Sequence, residues 1–120
     1  MNETFKDRTT FNEDISGWDV SNVTNISGLF AHATVFESDL SGWNTSNVTN
    51  ISGAFKYAAA FESDLSNWDI SNVTVMSYLF AGTNFSPNIA SWDVSNITDM
   101  ERMFRNTTAF NEDISDWDVS

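Results

Sequence analysis

The sequence predicts an α/β solenoid: a single domain over residues 1–120, with short parallel strands on one side and short helical turns on the other. Three observations predict it. The run Phe-x-x-Asp/Asn-Ile/Leu-Ser/Ala-x-Trp returns every 25 residues, and once after 24, holding Trp18, Trp43, Trp68, Trp92 and Trp117 in phase. A fixed period in the twenties marks units that stack on their neighbours. Trp-x-Val alternates apolar with polar, as a half-buried strand does. Downstream, Ile26, Leu29, Phe30 and Ala33 fall at i, i+3, i+4 and i+7, one face of a helix.

The full coils are expected at 11–35, 36–60, 61–84 and 85–109, with half-coils at 1–10 and 110–120. In the first, Ile15, Trp18, Val20 and Val23 turn inward, and Trp18-Asp19-Val20 forms a strand. Such strands would pair in parallel about 4.8 Å apart. The five tryptophans then make one interior ladder. Asn22, Asn47, Asn72 and Asn96 sit in phase in the following turn, where an asparagine amide can bond nearby backbone, and make a second. Thr24, Thr49, Thr74 and Thr98 are placed to cap the helical turns, and Thr98-x-x-Glu101 has capping-box spacing. The helical pattern recurs as Ile51, Ala54, Phe55, Ala58 and as Met100, Met103, Phe104, Thr107. In the third coil it keeps Met76, Leu79 and Phe80 but loses a residue before Phe85. Gly28 and Gly53 restrict each helix to a turn or two. The two half-coils leave uncovered ends, which implies either further repeats or head-to-tail association between copies.

The stretch Phe11-Asn12-Glu13-Asp14-Ile15-Ser16-Gly17-Trp18-Asp19-Val20-Ser21-Asn22-Val23-Thr24 returns as Trp92-Asp93-Val94-Ser95-Asn96-Ile97-Thr98-Asp99-Met100 and runs on to Met103-Phe104. It resembles the 25–26-residue repeat of BspA-like, leucine-rich-repeat-like bacterial surface proteins and of mycoplasma lipoproteins. The resemblance implies a leucine-rich-repeat-like right-handed superhelix, displayed on a cell surface or secreted as part of a larger protein and associated with adhesion. It carries over no catalytic residues. The chain departs from the pattern at Asn44-Thr45, at Pro87 and in the shortened third coil.

Composition narrows the function classes. Seventeen acidic residues against five basic ones give a net charge of −12, which disfavours nucleic acid and anionic lipid as partners. No stretch is long and apolar enough for a membrane helix. With no cysteine, disulfides and thiolate metal sites are excluded and the redox compartment stays open.

The aspartates form two columns. Asp14, Asp39, Asp64, Asn88 and Asp113 precede the tryptophans, a place where Asp bonds turn backbone. Asp19, Asn44, Asp69, Asp93 and Asp118 follow them, facing outward. Stacked carboxylates about 5 Å apart repel by roughly 1–3 kcal/mol. The outer column is thus either a solvated surface or a binding face on which Asp19, Asp69, Asp93 and Asp118 hold a partner or a Ca²⁺ ion. Asn-x-Ser/Thr sequons such as Asn25-Ile26-Ser27 follow from the repeat itself. His32, the one histidine, stands in no ligand or catalytic spacing. A ladder of like carboxylates also lacks the differentiated environments of a catalytic pair. The sequence therefore reads as a non-catalytic interaction module that binds a protein or glycan through its acidic strand face. The alternative is a spacer or fibre whose coils stack end to end.

Overall fold

The computed structural model describes residues 1–120. Its organising element is the aromatic column. Phe5, Phe30, Phe55, Phe80 and Phe104 stack one above the next at centroid separations of 5.6, 5.8, 6.0 and 6.2 Å, with planes within 12° of parallel. A second column, Phe11, Phe36 and Phe61, runs beside it at 5.6 and 6.0 Å. Across each junction between successive repeats the two rings lie face to face, as in Phe30–Phe36 at 4.0 Å and Phe55–Phe61 at 4.1 Å. Each coil therefore buries its apolar side chains against the coil above and the coil below.

The expected α/β solenoid of strands and helical turns does not form. There are no helices, and none of the 46 backbone–backbone hydrogen bonds lies within a strand. In the arc expected to be helical, two positions per coil adopt left-handed backbone. The first is Glu3, Gly28, Gly53, Tyr78 and Arg102; the second, four residues on, is Asp7, His32, Tyr57, Gly82 and Asn106, all with φ between 54° and 73°. A right-handed helix cannot pass through either position. Instead the amides alternate in their partners. Leu29, Ala31 and Ala33 donate within the coil to Ile26, Gly28 and Phe30, whereas Ile26, Gly28, Phe30 and His32 donate to Asn50, Ser52, Ala54 and Lys56 of the next. The threonines cap nothing: Thr49, Thr74 and Thr98 donate their hydroxyls to the carbonyls of Thr24, Thr49 and Thr74. Nor is there a capping box, because the Glu101 amide bonds the Asp99 carboxylate.

The strand expected at Trp18-Asp19-Val20 is absent because its amides are used locally. Trp18 donates to Ile15, Val23 donates to Val20, and the Ser21 amide bonds the Asp19 carboxylate. Parallel pairing survives only as isolated bridges, Asn25–Asn50–Val75–Asp99. Side chains link the coils on this half. The indole N–H of Trp43, Trp68 and Trp92 donates to the carbonyl of Ile15, Leu40 and Leu65. The Asn47, Asn72 and Asn96 amides donate to Ser21, Ser46 and Ser71.

The tryptophans are not one continuous interior stack. Trp43, Trp68 and Trp92 are buried, but Trp18 is 47% exposed, with no coil lying over it. Trp117 is half-buried, and its indole nitrogen is enclosed without a partner. Only Trp43 and Trp68 stack on each other, at 6.4 Å; Trp18, Trp43, Trp68 and Trp92 each lean on the phenylalanine twelve or thirteen residues before, as Trp68 does on Phe55.

The residue missing from the third coil is felt at Phe85. Five residues separate Phe80 from Phe85, where six separate Phe55 from Phe61. The shorter connection turns the Phe85 ring edge-on to both Phe61 and Phe80, at 83° and 86°. Stacking resumes at Phe104–Phe110, 3.9 Å apart.

Candidate functional site

On the turn side, each outer aspartate uses one carboxylate oxygen within its own turn. Asp19 accepts both the Ser21 amide (3.0 Å) and the Ser21 hydroxyl (2.6 Å), and Asp69, Asp93 and Asp118 repeat the pair with Ser71, Ser95 and Ser120. Asn44 makes the same two bonds with Ser46. In the inner column, Asp14, Asp39, Asp64 and Asp113 accept the amide of the serine two residues on. Ser38 and Ser63 tie Asp14 and Asp39 to the coil that follows each. No three carboxylate or imidazole groups converge on a point that could hold a metal ion. Each aspartate shapes its own turn.

On the arc side, the structure brings together residues that the sequence reading left apart. Gly28 and Gly53 carry no side chain at the first left-handed position, and an open cleft of about 400 Å³ lies over them. Glu3 and Lys6, ion-paired at 2.9 Å, close one end, and Tyr78 closes the other. His32 and Lys56 stand along the side. The Lys56 ammonium lies 5.1 Å from the Tyr78 ring centre and 5.8 Å from that of Tyr57, with no carboxylate within ion-pairing distance. Arg102 donates to the Tyr78 hydroxyl at 2.7 Å and also lies over its ring. His32 packs on Tyr57 at 5.0 Å.

The backbone beneath these side chains is costly. A non-glycine residue in the left-handed region carries about 1–2 kcal/mol of steric strain. Glycine stands at the equivalent places in other coils, yet here those places hold His32, Tyr57, Tyr78 and Arg102. Tyr57 even requires a glycine beside it, since a Cβ on Gly82 would sit 2.1 Å from its ring. The order of two substitutions at Tyr78 should reveal this. Tyr78→Gly and Tyr78→Ala lose the same ring contacts, but only glycine releases the strain. Despite its greater unfolded-state entropy, the glycine variant should be more stable by about 0.5–1 kcal/mol. Urea denaturation would read the difference, and a more stable alanine variant would contradict the left-handed backbone.

The repeat also matches a known family model, over residues 1–86 and again over 61–120, described as Mycoplasma protein of unknown function, DUF285. The chain belongs to this family. No curated protein and no solved structure matches it. In this DUF285 chain each match spans more than two coils. The side chains at its left-handed positions change from coil to coil.

The DUF285 aspartates give a pH dependence whose sign is set. Hydroxyl and amide donation from the neighbouring serine holds Asp14, Asp19, Asp69, Asp93, Asp113 and Asp118 below the ordinary carboxylate value of 3.8. At Asp39 and Asp64 the serine amide leads and the hydroxyl follows. Repulsion from a neighbouring aspartate acts the other way at Asp14, Asp64, Asp69 and Asp93, but it is the smallest contribution at each. A depressed folded value means the stabilisation is fully present above the unfolded value and is lost as pH falls through the folded one. The melting temperature should therefore hold between pH 5 and 7 and drop below about pH 4. Replacing Asp19, Asp69 and Asp93 together by asparagine should make that acid limb shallower, while the fold persists because Asn44 already makes the same turn.

Proposed function

We propose that the chain is a non-catalytic binding module whose recognition surface is the arc-side cleft rather than the acidic turn side. One observation carries the reading: His32 and Tyr78 occupy left-handed backbone where glycine would be free of strain, and they line an open cleft with Lys56, while Tyr57 and Arg102, equally strained, pack behind them. Strain retained around a cleft points to side chains kept for what they contact. The turn-side aspartates, by contrast, each serve a turn through one carboxylate oxygen and converge on no common point. The partner is a protein or a glycan. Display on a cell surface or secretion, within a longer protein, is the setting that the resemblance to BspA-like repeats supports.

The test is a parallel glycan and peptide array probed with the labelled chain and with Lys56→Gln and Gly53→Asn variants. Asparagine tolerates left-handed backbone, as Asn106 does here at φ 58°, and its side chain would fill the floor of the cleft. Hits lost in both variants, with melting temperatures unchanged, are the expected result. Hits that survive both, or that fall only when Asp69 and Asp93 become asparagine, would return recognition to the turn side.

A further inference from the structure

We infer that the cleft over Gly28 and Gly53 is a saccharide site, and that it takes a carboxylated sugar chain of two to three residues. The inference rests on the binding-module reading and names its ligand class.

Charge comes first. Among the lining residues Lys6 and Lys56 face one acid, Glu3, so two positive charges against one negative leave the cleft with a net charge of +1 in a chain of −12. Lys6 is taken by Glu3 at 2.9 Å. Lys56 is not taken, and its ammonium rests against tyrosine faces, where an incoming carboxylate would meet it partly screened from water.

The floor then separates a sugar from a peptide. A peptide that binds by strand addition needs free backbone amides and carbonyls. Here they are already consumed: Gly28 donates to Ser52 and Gly53 to Ser77, while their carbonyls accept from Ala31 and Lys56. Free hydrogen-bonding capacity lies in side chains instead. The Asn50 carbonyl oxygen is held by the Ser52 amide, so its NH₂ group is left for a ligand, and the Ser27 hydroxyl has no partner. The Glu3 side chain lies over Gly28, but the floor is open at Gly53; that opening, a tyrosine ring closing one end and scattered side-chain donors suit a pyranose, which offers hydroxyls at its edge and C–H groups on its faces.

Length follows from the repeat. Glu3 and Tyr78 lie three coils apart, roughly 14 Å at parallel-bridge spacing. That span accommodates two to three sugar rings.

Titration calorimetry of the full chain with trigalacturonic acid, its methyl ester and a triglutamate peptide tests the assignment. Expected are binding of the acid that weakens with added NaCl, loss of about 10–100-fold in affinity for the ester, and a similar loss in Lys56→Gln. Gly53→Asn should abolish binding while melting normally. Asp69→Asn on the far side should change nothing. Equal affinity for acid and ester, or for triglutamate, would overturn the saccharide assignment. So would absence of uronate binding alongside array hits that depend on Lys56, which would leave the cleft as the recognition site. Absence of both would remove the two readings together.

Discussion

Replacing Phe55 by alanine is expected to cost about 3–5 kcal/mol, the range for deleting a fully buried phenylalanine. Phe55 has no exposed surface and touches four other rings: Phe30 below, Phe80 above, and Phe61 and Trp68, six and thirteen residues further along the chain. A domain of this size has about 5–15 kcal/mol in all. The loss should therefore move the urea midpoint by about a fifth or more. No long-range packing elsewhere can compensate, because each coil rests only on its neighbours. Phe110→Ala supplies the contrast. That ring is half-buried and stacks on Phe104 alone, so its loss should be much smaller. Comparable losses at the two positions would mean that the phenylalanine column is not what holds the coils together.

That column, rather than any regular secondary structure, explains which parts of the fold were legible in the residues. Ile26, Leu29, Phe30 and Ala33 are all buried, and their spacing is helical. Yet the chain between them turns through left-handed positions at Gly28 and His32. The spacing reports which residues face inward. It does not report how the backbone brings them there. The same holds for Trp-x-Val: Trp43 and Thr45, Trp68 and Ile70, and Trp92 and Val94 are buried pairs flanking exposed residues. The alternation is present, but the amides that a ladder would need are bonded within the coil. A signal for the true arc existed. Gly28 and Gly53 in one column and Gly82 in another, four residues out of phase, mark two places per coil where φ is positive.

The cleft was less legible for a related reason. In the linear sequence Lys56, Tyr78 and His32 are unremarkable and more than twenty residues apart. They become neighbours only when the 25-residue offset is applied, which sets Tyr78 above Gly53; the single deletion after Phe80 then sets Arg102 above Tyr78 after 24. The aspartates drew the eye instead because they recur. Their recurrence follows from the turn: an acceptor two residues before a serine is needed in every coil, and Asn44 meets that need without charge. A binding surface reveals itself in the opposite way, by side chains that differ between coils whose backbones are alike.

The indole bonds supply the second large effect. The Leu40 carbonyl accepts two donors, the Trp43 amide of its own coil at 3.1 Å and the Trp68 indole of the next at 2.9 Å. Trp68→Phe keeps an aromatic ring but removes the second donor inside the core. The lost hydrogen bond is worth about 1 kcal/mol, and the smaller ring leaves a cavity, so a total near 2–3 kcal/mol is expected. Trp18→Phe should cost under about 0.5 kcal/mol, since Trp18 is half-exposed and its indole bonds no carbonyl. Hydrogen exchange separates the bond from the packing. The indole protons of Trp43 and Trp68 should exchange only when coils part, whereas that of Trp18 should exchange freely. If the Trp68 indole proton exchanges as fast as that of Trp18, the coils are not joined through these rings. The cost of Trp68→Phe would then be packing alone.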